Sequence, residues 1–219
     1  MTIDVATGIA RIRRGKTSAT LILGANSRLF TVRRGDAVIN AVRFASAFFG
    51  KAQFVPDSAE KRADAYHFTQ SLDAGYYQPF DLPRKVAWGV DHWYEVREER
   101  KRTEVCNLRY DAEVRESASG FTVRIRASGT DYVPLAVEVN LREGGVLTGC
   151  IPAPGVDDGY IVPEGHAVYR VGGDAIRFGP GLRMTDYTQV RGAQPKLPGP
   201  SVYLTAFTPF DHTLTFEWV

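Results

Sequence analysis

Apolar and polar residues alternate along most of this chain, and that two-residue period restricts what it can fold into. In Phe121-Thr122-Val123-Arg124-Ile125-Arg126 every second side chain is apolar and the arginines point the other way. Successive side chains of a strand project to opposite faces, so such a segment has one dry face and one wet face. Leu135, Val137, Val139 and Leu141 alternate in the same way with Glu138, Asn140 and Arg142. So do Cys106, Leu108, Tyr110, Ala112 and Val114 with Asn107, Arg109, Asp111 and Glu113, and Leu214, Phe216 and Trp218 with Thr213, Thr215 and Glu217. One-sided alternation belongs to antiparallel sheets with one buried face.

Turn formers separate these runs. Arg14-Gly15-Lys16, Ala25-Asn26-Ser27, Arg34-Gly35-Asp36, Ser119-Gly120, Ser128-Gly129-Thr130-Asp131, Glu143-Gly144-Gly145 and Gly172-Gly173-Asp174 each suit a hairpin. Glycine reaches positive φ freely and Asn or Asp tolerates it. The pattern predicts an all-β protein: one large antiparallel β-sandwich, supersandwich-like, of about 12–15 strands with little helix. Residues 1–219 read as a single sandwich domain. The weakest stretch is Val38–Phe49, where a short helix competes with a strand; its β-branched and aromatic residues favour the strand.

Composition excludes several classes. The 27 basic and 25 acidic residues give a net charge of +2, too balanced to predict a nucleic-acid partner or an anionic membrane surface. No apolar run approaches the roughly 20 residues of a membrane helix. Met1-Thr2-Ile3-Asp4 shows no basic-then-apolar leader. Two expectations stand: a cytoplasmic protein, or a piece of a longer secreted or periplasmic precursor. A chain of this length buries roughly 70% of its unfolded surface, enough for a core without staples.

Cys106 and Cys150 read either as buried free thiols or as a bridge closing a loop of roughly 45 residues, worth about 4 kcal/mol. Two cysteines without CxxC spacing do not make a zinc site. GxSxG, Walker A, HExxH and EF-hand patterns are absent from the sequence, and neither a cofactor nor a metal is predicted. The mixed run Arg97–Arg102 reads as a solvated hairpin tip. His212 shares the parity of Leu214 and Phe216 and reads as a tucked-in structural histidine.

Between Tyr66 and Tyr94 the alternation weakens and aromatic residues gather. This stretch holds two of the three tryptophans and four of the ten tyrosines. Aromatic faces flanked by hydrogen-bonding groups suit sugar rings, whose faces are apolar and whose edges are polar. Tyr66, His67, Tyr76, Tyr77, Trp88, His92 and Trp93 are therefore the candidate ligand-binding residues. The alternative is that these aromatics fill the core and open ends of the sandwich.

Two segments carry a family resemblance. Ile9–Thr20 followed by Phe30–Gly35, and Val42–Phe54 ahead of Tyr76-Tyr77-Gln78-Pro79, resemble the C-terminal β-sandwich region of heparinase II/III-like, alginate-lyase-like bacterial proteins. The resemblance implies a sandwich that packs beside an α-helical toroid, which carries much of the lyase or hydrolase site. This chain has no toroid segment, and no catalytic residue is carried over. The expectation is a non-catalytic module of a polysaccharide lyase-like protein, lining a polysaccharide cleft, with carbohydrate or an adjacent α-helical domain as partner. A stand-alone sugar-processing enzyme would draw its acid and base groups from Tyr66, His67, His92 and Tyr94, with Arg97 or Arg109 clamping a carboxylate. A structural or interaction protein is the third reading.

Overall fold

A computed structural model describes residues 2–4, 8–51, 53–80, 96 and 99–219. In chain order the strands are β1 (Thr2–Asp4), β2 (Ile9–Arg14), β3 (Thr17–Ile22), β4 (Phe30–Arg34), β5 (Ala37–Ser46), β6 (Ser58–Arg62), β7 (Ala65–Tyr77), β8 (Arg102–Ser117) and β9 (Gly120–Gly129). They continue as β10 (Pro134–Leu141), β11 (Val146–Thr148), β12 (Ile151–Pro152), β13 (Gly159–Ile161), β14 (Ala167–Val171), β15 (Asp174–Gly179), β16 (Ser201–Phe207) and β17 (Phe210–Trp218). The all-β sandwich is as the alternation requires. Among the described residues the strands number 17, more than the expected 12–15, because several, such as β12 with 2 residues, are too short to show a period. Val38–Ser46 is strand, as its β-branched residues favoured.

A nine-stranded sheet runs β1-β2-β3-β4-β5-β10-β16-β13-β12, and an eight-stranded sheet runs β11-β14-β15-β17-β9-β8-β7-β6. The named pairings are antiparallel except β13 with β16. Gly172 and Gly173 turn the β14–β15 hairpin. The inward side chains of the two sheets meet in one apolar cluster. Phe30 of the first sheet lies 5.0 Å from Phe121 and 5.7 Å from Phe216 of the second. Phe44 stacks on Phe54 at 4.3 Å. Tyr110 of β8 crosses the core to share a hydrogen bond with Ser46 of β5.

Two departures from a plain sandwich shape the surface of the molecule. The first is a strap, residues 180–200, laid across the outer face of the nine-stranded sheet. Met184 N donates to Thr205 O at 2.9 Å and Arg43 Nη2 donates to Pro195 O at 2.5 Å. The strands beneath it are buried on both faces: every residue of β10 except Pro134 is buried. The alternation placed Glu138 and Asn140 on a wet face; the structure corrects this, with Glu138 5% and Asn140 1% exposed. The strap and the neighbouring strands β5 and β16 together supply the partners that make that burial affordable. Glu138 accepts from Arg43, Ser201 and the Leu197 backbone, and Asn140 donates to Pro198 O.

The second departure is an overhang. β7 and β8 pair along their whole length, but β9 joins β8 only from Leu108 onward. Beyond that point the ribbon is two strands wide, and it carries Tyr76 and Tyr77 at its end. Arg102, expected at a solvated tip, instead ties the ribbon together. Its Nη2 donates to Asp73 Oδ2 at 2.8 Å and to Ala74 O at 2.7 Å.

Candidate functional site

The predicted site residues divide along β7. Tyr66 and Tyr76 are ten positions apart, so about 33 Å separates them along the strand. Tyr66 points into the core and is only 3% exposed. Burial, followed by the charge of Glu116, pushes its hydroxyl above the usual phenol range. Its neighbour His67 faces outward, with Nδ1 3.6 Å from Glu113 Oε2. That glutamate also accepts from Arg115, which reaches Asp64. His67 thus sits in an open ladder of paired charges. Arg109, the proposed clamp, lies beside Asp111 at 3.3 Å on the same outer face. Trp88, His92 and Trp93 lie outside the described residues, as do Tyr94 and Arg97.

Tyr76 is placed differently. It shares the inward parity of Tyr66 and Phe68, but it lies on the overhang, where no opposing sheet covers it. Its ring is 58% exposed and meets Phe49 edge-on at 5.2 Å and 72°. Phe49 follows the end of β5. The preceding Phe48 fills the core at 1% exposure, and the chain then turns at Phe49 with φ 48°. A bulky residue in the left-handed region is strained, and such strain gathers at ligand sites. Here it turns the Phe49 ring outward, 43% exposed. Tyr77, on the opposite face of the ribbon, lies under the Arg100 guanidinium at 4.9 Å.

The strap supplies the third component. Arg191 joins Phe49, Gly50, Ala47 and Tyr76 around an open cleft of about 530 Å³. The approach depends on a glycine: Gly192 adopts φ 87°, and a Cβ there would lie 3.0 Å from Gly50 Cα. A second glycine fixes the overhang's backbone. A Cβ on Gly75 would collide with the Glu104 carbonyl and the Arg102 guanidinium. Behind the cleft, Lys51 Nζ donates to Asp73 O at 2.8 Å. The Arg102 hydrogen bond holds the Asp73 carboxyl below the usual carboxylate range.

The cleft therefore offers two perpendicular aromatic rings and one guanidinium, with no carboxylate or imidazole in its described lining. Such a surface can stack an apolar ring face and pair with a polar or anionic substituent. Phe49 and Arg191 escaped the sequence reading. The phrase Phe48-Phe49-Gly50 after a strand was the available signal for the first. Arg191 had none, because only the strap's path brings it there.

A second polar cluster lies under the strap. Arg43 Nε meets Glu138 Oε2 at 2.5 Å, and Tyr203 OH accepts from Gln189 Nε2 at 2.8 Å. Burial, then the Glu138 charge, raises the Tyr203 hydroxyl far above its usual range. The space among these groups is about 10 Å³, room for about one water. This cluster anchors the strap and has no room for a ligand.

His212, on β17, stacks on Phe210 at 5.9 Å with Nε2 2.9 Å from Pro180 O. Cys106 and Cys150 are free thiols, both half-buried, and burial raises the Cys150 thiol. Among the described residues no group of three or more His, Cys, Asp or Glu side chains could hold a metal ion. Among them, too, no helix is long and apolar enough to cross a membrane.

No known family profile matches the chain, and no curated protein does. Among solved structures, a galactose mutarotase-like protein from Lactobacillus casei ATCC 334 aligns over 97% of this chain and 100% of its own, with 10% identity and a TM-score of 0.48.

Proposed function

We propose that this chain is a non-catalytic saccharide-binding β-sandwich, with its binding cleft at the overhanging end of β7. The observation that carries the reading is the exposed, perpendicular Phe49–Tyr76 pair beside Arg191. Two large rings left open to solvent and in contact with one another present the surface that a pyranose face prefers. The strained Phe49 backbone holds one of those rings outward. Arg191 adds a donor fork for a ring substituent.

The described lining favours binding over turnover. Acid–base cleavage of a glycosidic bond needs a proton donor and an acceptor facing one another across the bond. The cleft offers a tyrosine and an arginine. Tyr66 and His67, the predicted acid–base candidates among the described residues, lie far along the strand, one in the core and the other beside Glu113.

The test is calorimetric titration of the full chain with neutral and uronate-containing oligosaccharides. Tyr76→Ala should weaken binding about tenfold, the loss of one stacking contact, with the circular dichroism unchanged. Equal affinity of the wild type and Tyr76→Ala removes the cleft from the proposal. Depolymerisation of a uronate polymer by the chain alone overturns its non-catalytic part.

A further inference from the structure

The chain's positive charge is distributed unevenly. Between Gly8 and Asp36 lie Arg11, Arg13, Arg14, Lys16, Arg28, Arg33 and Arg34, against the single acid Asp36. The fold sorts these cations by strand parity. Arg14 and Arg34 have inward parity at the sandwich's rim and are used there. Arg14 Nε meets Glu116 Oε1 of the other sheet at 3.3 Å. Arg34 donates to Thr17 Oγ1 at 3.2 Å and lies over Trp218 at 5.8 Å.

Arg11, Arg13 and Arg33 have the opposite parity and are exposed on the outer face of the nine-stranded sheet. The register places them together. Arg13, Ser18 and Arg33 form one cross-strand row over β2, β3 and β4, and Arg11, Thr20 and Thr31 form the next. Strand spacing puts Arg13 and Arg33 about 10 Å apart, and Arg11 about 7 Å from Arg13 along β2. The Ser18 and Thr20 hydroxyls lie between them, and Thr31, whose hydroxyl donates to Asn40 O at 2.9 Å, flanks them.

Among the described residues the Arg11 and Arg13 side chains make no ion pair or hydrogen bond. Arg33 donates to the Gly35 carbonyl and lies 3.7 Å from Asp36. At the hairpin tips Arg13, Lys16, Ser18 and Arg33 line an open cleft of about 570 Å³. Two acids line it as well: Asp36, beside Arg33, and Asp174, which is engaged by Lys16 Nζ at 3.4 Å and by the Asp36 amide at 3.1 Å.

We infer that the outer face of β2–β4 is a docking surface for a linear acidic polysaccharide, gripped through its carboxylate or sulfate groups by Arg11, Arg13 and Arg33. The inference rests on the saccharide reading of the chain and adds that the ligand is acidic. Guanidiniums are the donors suited to planar, bidentate recognition of such groups. The serine and threonine hydroxyls between them match the hydroxyl-rich body of a sugar polymer. A nucleic acid fits less well. The described face carries no exposed aromatic ring for base stacking, and the protein as a whole is nearly neutral.

The test measures retention of the full chain on immobilised alginate, dextran sulfate, unmodified dextran and a single-stranded oligonucleotide at low salt. Alginate presents carboxylates, and dextran sulfate presents sulfates on the backbone of the neutral control. The paired substitution Arg11→Gln and Arg13→Gln removes no side-chain contact among the described residues, so the fold should survive it. The expected result is salt-sensitive retention on alginate or dextran sulfate that exceeds retention on dextran. The paired variant should lose about tenfold in affinity, the size expected of two surface charge contacts. Arg11→Glu with Arg13→Glu should lose more. Retention of the paired variant equal to wild type overturns the inference, as does tighter binding of the oligonucleotide than of alginate. Failure of the cleft reading looks different: Tyr76→Ala then binds like wild type while the arginine variants still lose affinity.

Discussion

Arg43–Glu138 and Arg124–Asp211 are ion pairs of the same chemistry on the outer faces of opposite sheets. Arg124 reaches Asp211 with two hydrogen bonds, of 2.8 and 2.6 Å, yet both side chains are about half exposed at 47% and 49%. Arg43 and Glu138 are 4% and 7% exposed. The difference lies in what covers them. The eight-stranded sheet turns a ladder of charges to water, whereas the nine-stranded sheet carries the strap. A sandwich whose two outer faces share a sequence pattern can thus use one as solvated surface and make the other a second, polar core.

The sharpest way to break this comparison is Glu138→Ala. Removing one partner leaves the Arg43 charge buried and unpaired, which costs about 3–5 kcal/mol. Urea denaturation measures the loss, and amide exchange over 183–200 should quicken as the strap loosens. Unchanged stability would mean that the strap does not isolate the pair from water. Replacing the pair together, Arg43→Met with Glu138→Leu, should recover most of the loss, because the desolvation penalty disappears with the charges.

Tyr110 supplies the next largest effect. Burial, opposed by the Ser46 hydrogen bond, pushes its hydroxyl up to about 12. The unfolded chain ionises this tyrosine near its ordinary value of about 10. Its contribution is therefore whole below pH ~10 and falls away as pH rises towards ~12, by up to about 2–3 kcal/mol. Alkaline unfolding followed by phenolate absorbance should show that slope, and Tyr110→Phe should flatten it.

Gly75→Ala should be milder, about 1–2 kcal/mol, because the overhang can splay where the core cannot. Its clearer signature is weaker saccharide binding, since Tyr76 would move with the ribbon. Asp211→Asn should be the smallest. The Arg124 hydrogen bond holds the Asp211 carboxyl below the ordinary carboxylate range. Whatever it contributes is present near neutral pH and lost on acidification through that lowered value. Exposed pairs are worth little, so thermal melts at neutral pH should barely separate this variant from wild type. A large shift would put the two outer faces on the same footing.

Much of the fold was legible from the chain alone. The alternation in Phe121–Arg126 and Leu214–Trp218 matches β9 and β17, and Gly172-Gly173 turns the hairpin it suggested. Of the predicted aromatics among the described residues, Tyr76 is the one that lines the cleft. Tyr66, His67 and Tyr77 came from the same aromatic-rich stretch, yet they face the core, an ion-pair ladder and the far side of the ribbon. Composition marks such a stretch but does not say where the opposing sheet ends, and that edge separates a filled core position from an open ring.

The sequence by itself determined the longer strands, their inward faces and the uneven placement of cations in β2–β4, because a two-residue period needs only neighbours along the chain. The tertiary structure alone decided which outward faces stay outward. Arg43 meets Glu138 across 95 positions and the Pro195 carbonyl across 152. Arg191 reaches Tyr76 through the same strap. No local pattern encodes such contacts, because they arise from where a loop without a period of its own comes to rest.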